Sequence, residues 1–349
     1  LGLDADNIAY IHHKIGTQPF YHTDAVIRSA LSGIDIALWD IKGKRHGVPI
    51  SSLLGGKVNS TIRCYRWFGG NVPQFVDSPE QQSATKMLRS LMADRDTKET
   101  HFFKMNACPA MGNVDLDGGI AHAKRVLQGI NEEFSGKNVR IGIDCHGRLR
   151  PASARQFLRM AEEFSDLVLF VEEPLPVEEI DGMALLRQFT SMRLATGERM
   201  YMPADFARLC AAQGADILQP DLGHCGGITA GRAIADIANT YGVGLAPHCP
   251  NGPVLLAASL QVQAYTPASM LQETSMGIHY NGNRDGGWYL KNPQVLTPDA
   301  RGFLEIPNGP GLGIDIDEEK VRSAAESGES WEESSCYLYD PVGGCPRSW

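Results

Sequence analysis

Six polar residues recur through the centre of the chain, each where a short apolar run ends: Asp144, Glu172, Glu198, Asp221, His248 and Glu273. Three carboxylates brought to one place repel one another unless a cation lies between them. An all-oxygen set suits a hard divalent ion, Mg2+ or Mn2+, better than zinc, which favours imidazole and thiolate. Asp144, Glu172 and Glu198 are therefore candidate metal ligands. A histidine backed by an acid is a proton acceptor: a carboxylate at Asp221 would fix the tautomer of His248 and stabilise the imidazolium formed when it takes a proton. A second imidazole, His146, follows Asp144 by two residues. Strand side chains alternate faces, so Asp144 and His146 point one way and Cys145 the other. Metal-assisted proton abstraction, with His248 as base and His146 as the matching acid, is the chemistry these residue types support.

Such a site needs elements that bring distant positions together. Steps from Asp144 through Glu273 are 28, 26, 23, 27 and 25 residues, each the length of one strand-plus-helix unit. The β-rich runs "TIRCYRWF", "THFFKMN", "VRIGIDCH", "LVLFVEEP", "MRLATGER", "ADILQPDL", "VGLAPH" and "SMLQET" alternate with amphipathic stretches such as "PASARQFLRMAEEF" and "TAGRAIADIANTYG". That rhythm predicts an α/β fold with a parallel sheet buried on both faces. A closed (β/α)-barrel fits better than an open sheet, because only a ring gathers all these strand ends at one mouth.

Ahead of the units, Thr23 as N-cap and apolar residues at Ile27, Leu31, Ile34, Leu38 and Ile41 predict a helix with one buried face, stopped by Gly43 and Gly47. "PISSLLGG" predicts a short second helix and turn.

A net charge of -9 lacks the basic clusters that phosphate backbones require, which argues against nucleic acid as a partner. No apolar run reaches the length of a bilayer span and no leader opens the sequence, so a soluble, cytoplasmic protein is expected. Eight cysteines form no CxxC pair or regular framework and read as small buried hydrophobes, with Cys336 and Cys345 able to pair in an oxidising setting. His12 and His13 have no partner at metal-ligand spacing and are assigned to a loop. "GHCGG" lacks the order of a dinucleotide site and predicts a tight turn into a helix. Glu173 should face away from Glu172 and brace its neighbours, and Arg148 either contacts a substrate or pairs with an acid.

The motifs "FKMN", "DCHGR", "FVEEP", "ATGER", "ILQPDLGHCGGIT", "LAPHCPNGP" and "LQETSMGIHY", in that order and at barrel spacing, resemble the enolase superfamily in its mandelate racemase-like branch. The resemblance runs from about Ala25 almost to the end of the chain. It implies Mg2+ on Asp144, Glu172 and Glu198, proton removal beside a substrate carboxylate by the Asp221 and His248 dyad, His146 as acid, and Glu273 as a partner of the bound carboxylate. Lys104 and Asn106 match the second-strand position where racemases and cycloisomerases of the branch usually carry Lys-x-Lys. Asn106 cannot act as a second base, which favours dehydration over racemisation.

The implied activity is Mg2+-dependent dehydration of a sugar acid to a 2-keto-3-deoxy acid through a metal-stabilised enediolate. D-galactonate is the favoured substrate, and D-gluconate or another aldonic acid remains open. The implied fold is the superfamily's (β/α)-barrel with a partial α+β capping domain. Residues 1–57 would be the partial cap, 58–284 the barrel, and 285–349, with a helix at "DEEKVRSAAES", a segment returning to the cap. The cap's opening strands are expected to be absent, which leaves a non-catalytic scaffold protein as the rival reading. A homo-oligomer, dimer or octamer, is expected.

Overall fold

Strand and helix alternate through most of the chain in the computed structural model, which describes residues 2–17, 20, 24–68, 81–107, 118–274, 276 and 286–327, with the backbone of 338–339 and 346–347. Three helices come first: α1 (Ile8–Thr17), α2 (Ala25–His46) and α3 (Ile50–Leu54). The repeating units follow as β1 (Thr61–Trp67), α4 (Gln81–Met92), β2 (His101–Met105), α5 (Gly119–Phe134), β3 (Val139–Asp144), α6 (Pro151–Glu162), β4 (Val168–Glu172) and α7 (Ile180–Phe189). They continue through β5 (Leu194–Thr196), α8 (Pro203–Ala211), β6 (Ile217–Leu218), α9 (Gly227–Tyr241), β7 (Gly244–Leu245), α10 (Pro253–Tyr265) and β8 (Gln272–Thr274). After them come β9 (Phe303–Glu305) and α11 (Glu318–Glu326), the latter where the sequence predicts a helix.

Each strand from β1 to β6 pairs in parallel with its successor, and β1 also pairs with β8. Leu245 of β7 bridges Ser269, just ahead of β8, and closes the ring. The expected (β/α)-barrel is therefore present. Every strand of the ring lies within one of the predicted runs, and each carries its C-terminal end to the same mouth. The later strands are short, so Glu198, Asp221 and His248 stand just beyond strand ends.

Tyr65, Leu169, Phe170, Ala195, Ile217, Ala246 and Leu271 form a buried apolar cluster of strand and near-strand residues. Gly142 makes room for it: a Cβ there would fall 2.3 Å from Phe170 Cζ. The helices pack outside in two larger apolar clusters. Cys145 lies buried in one of these, away from the mouth, as strand alternation predicts.

The predicted first long helix forms, but its phase is different. Asp24 is the N-cap, its Oδ1 accepting from the Val26 amide at 2.6 Å, and Thr23 lies outside the described residues. Its buried face carries Arg28, Leu31, Ser32, Asp35, Ile36 and Gly43, while Ile34 and Ile41 are 43% and 45% exposed. Polar docking explains the rotation. Asp35 accepts from the Thr229 amide and hydroxyl at 2.9 and 2.5 Å, and Ser32 Oγ accepts from the Gly226 amide at 2.8 Å, so α2 caps the first turn of α9. Gly227 permits the approach, since a Cβ on it would sit 2.5 Å from Asp35 Oδ2. The tight glycine turn predicted for "GHCGG" is this junction.

His12 and His13 lie within α1 rather than in a loop, because helix α1 seats His12 with Nε2 3.0 Å from the Gly226 carbonyl. A second unforeseen feature is β9, which pairs antiparallel with Thr61–Arg63 ahead of the parallel pairing of β1 with β8. Beyond it the chain crosses α2: Leu312 N donates to Asp40 Oδ1 at 2.9 Å, and Gly43 faces Gly311 so closely that a Cβ would be 2.6 Å from its Cα. Among the described residues of 2–57 the regular elements are helices, with one isolated bridge from Pro49 to Gly311. Cys108, Cys336 and Cys345 lie outside the described residues, and Cys64, Cys145, Cys210, Cys225 and Cys249 are buried. No described helix is long and apolar enough to cross a membrane.

Candidate active site

Asp144 and Glu172 are the last residues of β3 and β4 and are partners in register. Glu198 follows β5 after Gly197, whose φ of 141° and crowding by Phe206 and the Gln219 backbone exclude a side chain. The three carboxylates offer oxygens that all lie within 4.8 Å of one another.

Lys104 of β2 reaches into this cluster. Its Nζ lies 3.3 Å from Asp144 Oδ2, 3.0 Å from Glu172 Oε1 and 3.1 Å from Glu273 Oε1, with only 2% of the side chain exposed. Burial opposes its charge, yet Glu172, Glu273 and Asp144 outweigh that cost and hold the ammonium well above its ordinary range. Burial and the neighbouring Asp144 push Glu172 well above the usual carboxylate range. Asp144 is pulled below it: burial works the other way, but His146 and Lys104 prevail.

Glu172 Oε2 also accepts from Gln219 Nε2 at 2.8 Å, which in turn lies 3.4 Å from the Tyr65 hydroxyl. Glu273 accepts from the Cys249 amide at 3.0 Å and from the Tyr65 hydroxyl at 3.5 Å. Tyr65, on β1, thus joins two of the acids from the barrel interior. Asn106 is buried just beyond β2, and its Oδ1 has no hydrogen-bond partner among the described residues.

Both histidines flank the acids. His248 Nδ1 is 2.9 Å from Asp221 Oδ2 and its Nε2 is 3.2 Å from Glu198 Oε2. Burial lowers its proton affinity, but Glu198, Glu273 and Asp221 overcome this and raise the pKa to about 10. His146 Nε2 is 3.0 Å from Asp144 Oδ2, and its backbone N–H donates to Asp144 Oδ1 at 3.0 Å. The two residues do share a side, though by a turn rather than strand alternation, since His146 has φ 48°. Arg148 Nη2 lies 3.5 Å from His146 Nδ1.

Two residues adjoining the ligands form a brace. Glu173 is fully buried with φ 41°, and its Oε2 accepts from Arg199 Nε and Nη2 at 2.8 and 2.5 Å. Its carbonyl accepts from the Gly147 amide at 2.7 Å, tying this brace to the turn that carries His146. Burial first, and then Glu198, raise the Glu173 carboxyl to about 7 despite Arg199.

Three acids, Asp144, Glu172 and Glu273, thus meet the Lys104 ammonium, and Glu198 adds a fourth carboxylate beside Asp144 and Glu172. The excess of negative charge and the oxygen-only donors fit a hard divalent cation on Asp144, Glu172 and Glu198. A cavity of about 460 Å³ opens beside it, lined by Glu198 and His248 on one side and by Ala25, Val26 and Ser29 of α2 on the other.

Residues 87–320 match the family described as "Enolase C-terminal domain-like", and residues 1–55 match "Mandelate racemase / muconate lactonizing enzyme, N-terminal domain". The chain belongs to the mandelate racemase/muconate lactonizing enzyme family of the enolase superfamily. Among its relatives, the D-galactonate dehydratase of Variovorax paradoxus is 39% identical over 95% of this chain and 82% of its own length. That of Ralstonia nicotianae is 40% identical with the same coverage. Of solved structures, a mandelate racemase/muconate lactonizing enzyme from Sulfitobacter sp. superposes with a TM-score of 0.81 at 27% identity, over 92% of this chain and 79% of the other. The 3,6-anhydro-D-galactonate cycloisomerase of Zobellia galactanivorans superposes at 0.76 with 26% identity, over 93% and 83%.

For this family member, the barrel mouth gathers all the sequence-predicted site residues: Lys104, Asn106, Asp144, His146, Arg148, Glu172, Glu198, Asp221, His248 and Glu273. Tyr65 and Arg199 were not expected there. A signal for Arg199 exists, because each of Glu172 and Glu198 is followed by a charged residue on the opposite side, which makes Glu173 and Arg199 natural partners. Tyr65 carries no such signal, being one aromatic in a strand that alternation alone places in a core.

Proposed function

We propose that this chain dehydrates D-galactonate to its 2-keto-3-deoxy acid. The observation that carries the reading is the position of the two imidazoles: His248 abuts Glu198 and His146 abuts Asp144, so each contacts a different acid of the candidate metal triad. The names of the relatives that cover nearly the whole chain support the substrate.

In this reading, Lys104 and Asn106 receive the substrate carboxylate at the end of β2, with Glu273 holding the ammonium in place. Asp221 keeps the His248 ring oriented through Nδ1, leaving Nε2 to accept the proton from C2. One Mg2+, held by Asp144, Glu172 and Glu198, would supply neutralisation of the charge that develops on the carboxylate as it becomes an enediolate, and Mn2+ suits the same oxygens. His146, acting as an imidazolium beside Asp144, delivers a proton to the departing C3 hydroxyl and is left as the neutral imidazole. Water leaves, and the C2–C3 enol takes a proton at C3 while its hydroxyl proton is lost to solvent, giving the ketone. Carbon, oxygen and charge balance without a redox cofactor. A cytoplasmic homo-oligomer acting on a small acid, with no nucleic acid or membrane partner, completes the reading.

The test is a panel of aldonic acids, including D-galactonate and D-gluconate, incubated with Mg2+ and scored for 2-keto-3-deoxy product with and without chelator. Chelator-sensitive turnover of D-galactonate is expected. Epimerised acid without loss of water would instead favour a racemase or epimerase, and no turnover of any acid would overturn the reading.

A further inference from the structure

His224 lies on the turn between β6 and α9 and lines the cavity together with His248, Glu198 and Ser29, yet the chemistry above gives it no task. Its hydrogen bonds define what it can offer. A serine hydroxyl inside a helix commonly donates to the carbonyl four residues back, here Ala25 at 2.7 Å, and with that bond made the serine oxygen can only accept from His224 Nδ1, also 2.7 Å away. In that arrangement Nδ1 carries the ring proton, and in the neutral imidazole Nε2 is left as an acceptor. Nε2 is 3.9 Å from Asp221 Oδ2, which is beyond hydrogen-bond range. An acceptor nitrogen is thus held beside the base, within a cavity that spans the distance to the N-terminal helix.

We propose that His224, set in one tautomer by Ser29 of α2, is a specificity-determining residue that accepts a hydrogen bond from a substrate hydroxyl beyond C3. This rests on the sugar-acid dehydratase reading. A carboxylate held at Lys104 and a C2 proton aimed at His248 fix the first carbons of an aldonate, so its remaining hydroxyls extend away from them. The cavity beside His248, bounded by His224 and α2, is the space available on that side. Acids that differ only in configuration at C4, such as D-galactonate and D-gluconate, or at C5, present the same reacting carbons and differ only there. A polar group built to meet a hydroxyl discriminates against an isomer that leaves it unpaired.

The test measures ratios of kcat/KM between acids epimeric at C4 and at C5, for the wild type and for His224→Phe, His224→Gln and Ser29→Ala. His224→Phe should collapse at least one wild-type preference by about tenfold, the scale of one lost hydrogen bond. His224→Gln, which restores an acceptor oxygen, should recover part of it. Ser29→Ala frees Nδ1, lets the proton move to Nε2, and should shift the same ratio in the same direction. A purely structural tie between α2 and the barrel would lower stability or turnover of all acids alike, and ratios within twofold of wild type in His224→Phe would overturn the inference. If the wild type turns over no aldonate, the dehydratase reading falls and this inference with it; turnover with unchanged ratios overturns this inference alone.

Discussion

His248 Nε2 lies 3.2 Å from Glu198 Oε2 while its Nδ1 is bound to Asp221. One imidazole between two carboxylates holds a proton on each nitrogen, and with its pKa raised to about 10 it does so at neutral pH, despite the opposing effect of burial. A base must be unprotonated to work, and a cation on Glu198 removes the attraction that keeps the proton there. Below about pH 10 the metal-free site binds a proton that the metal-bound site releases, so metal affinity rises with pH, by up to about tenfold per unit for one proton. Calorimetry in buffers of different ionisation enthalpy between pH 7 and 9 reads this directly. Proton release with tightening affinity is expected, and affinity independent of pH would contradict the coupling.

The two imidazoles are separable by isotope exchange. His146→Asn leaves His248 able to remove the C2 proton but removes the acid, so exchange with D2O should persist while dehydration falls by roughly 10²–10⁴, the usual contribution of a general acid. His248→Asn should abolish both. NMR of the substrate C2 position in D2O, beside product formation, distinguishes the variants, and loss of exchange in both would assign the roles wrongly.

Lys104→Met removes the ammonium that meets Asp144, Glu172 and Glu273 at 3.0–3.3 Å. Buried acids left without a counter-charge cost about 3–5 kcal/mol. Thermal unfolding should show a large loss of Tm without metal, and added Mg2+ should recover more stability in the variant than in wild type, because only a cation can replace the missing charge. Equal stabilisation by Mg2+ in both proteins would argue against a shared cluster.

The barrel and its mouth were legible because alternation and spacing are properties of short segments. Every ring strand falls inside a predicted run, and Asp144, Glu172, Glu198, Asp221 and His248 follow from where apolar runs stop. The phase of α2 was not legible. Ile34 and Ile41 suggest the buried face, whereas Asp35 and Ser32 occupy it to cap a helix that begins nearly two hundred residues later, and such long-range hydrogen bonding has no local signature. The pairing of β9 with β1, the link from Ser29 to His224, and the contacts of Tyr65 with Gln219 and Glu273 were hidden for the same reason.

Arg199→Met leaves Glu173 buried without the guanidinium that donates twice to its Oε2, beside a left-handed turn that carries His146. About 3–5 kcal/mol of stability should be lost. Arg199→Lys, which keeps the charge but loses the planar fork, should recover part of it. Denaturant unfolding of the two variants checks this, and a variant Arg199→Met as stable as wild type would remove the brace from the account.

Most direct is diffraction from crystals soaked in Mn2+, collected at a wavelength where manganese scatters anomalously. The account predicts one peak in contact with carboxylate oxygens of Asp144, Glu172 and Glu198, with Lys104 withdrawn from at least one of them. A peak elsewhere, or none at these three side chains, would contradict it.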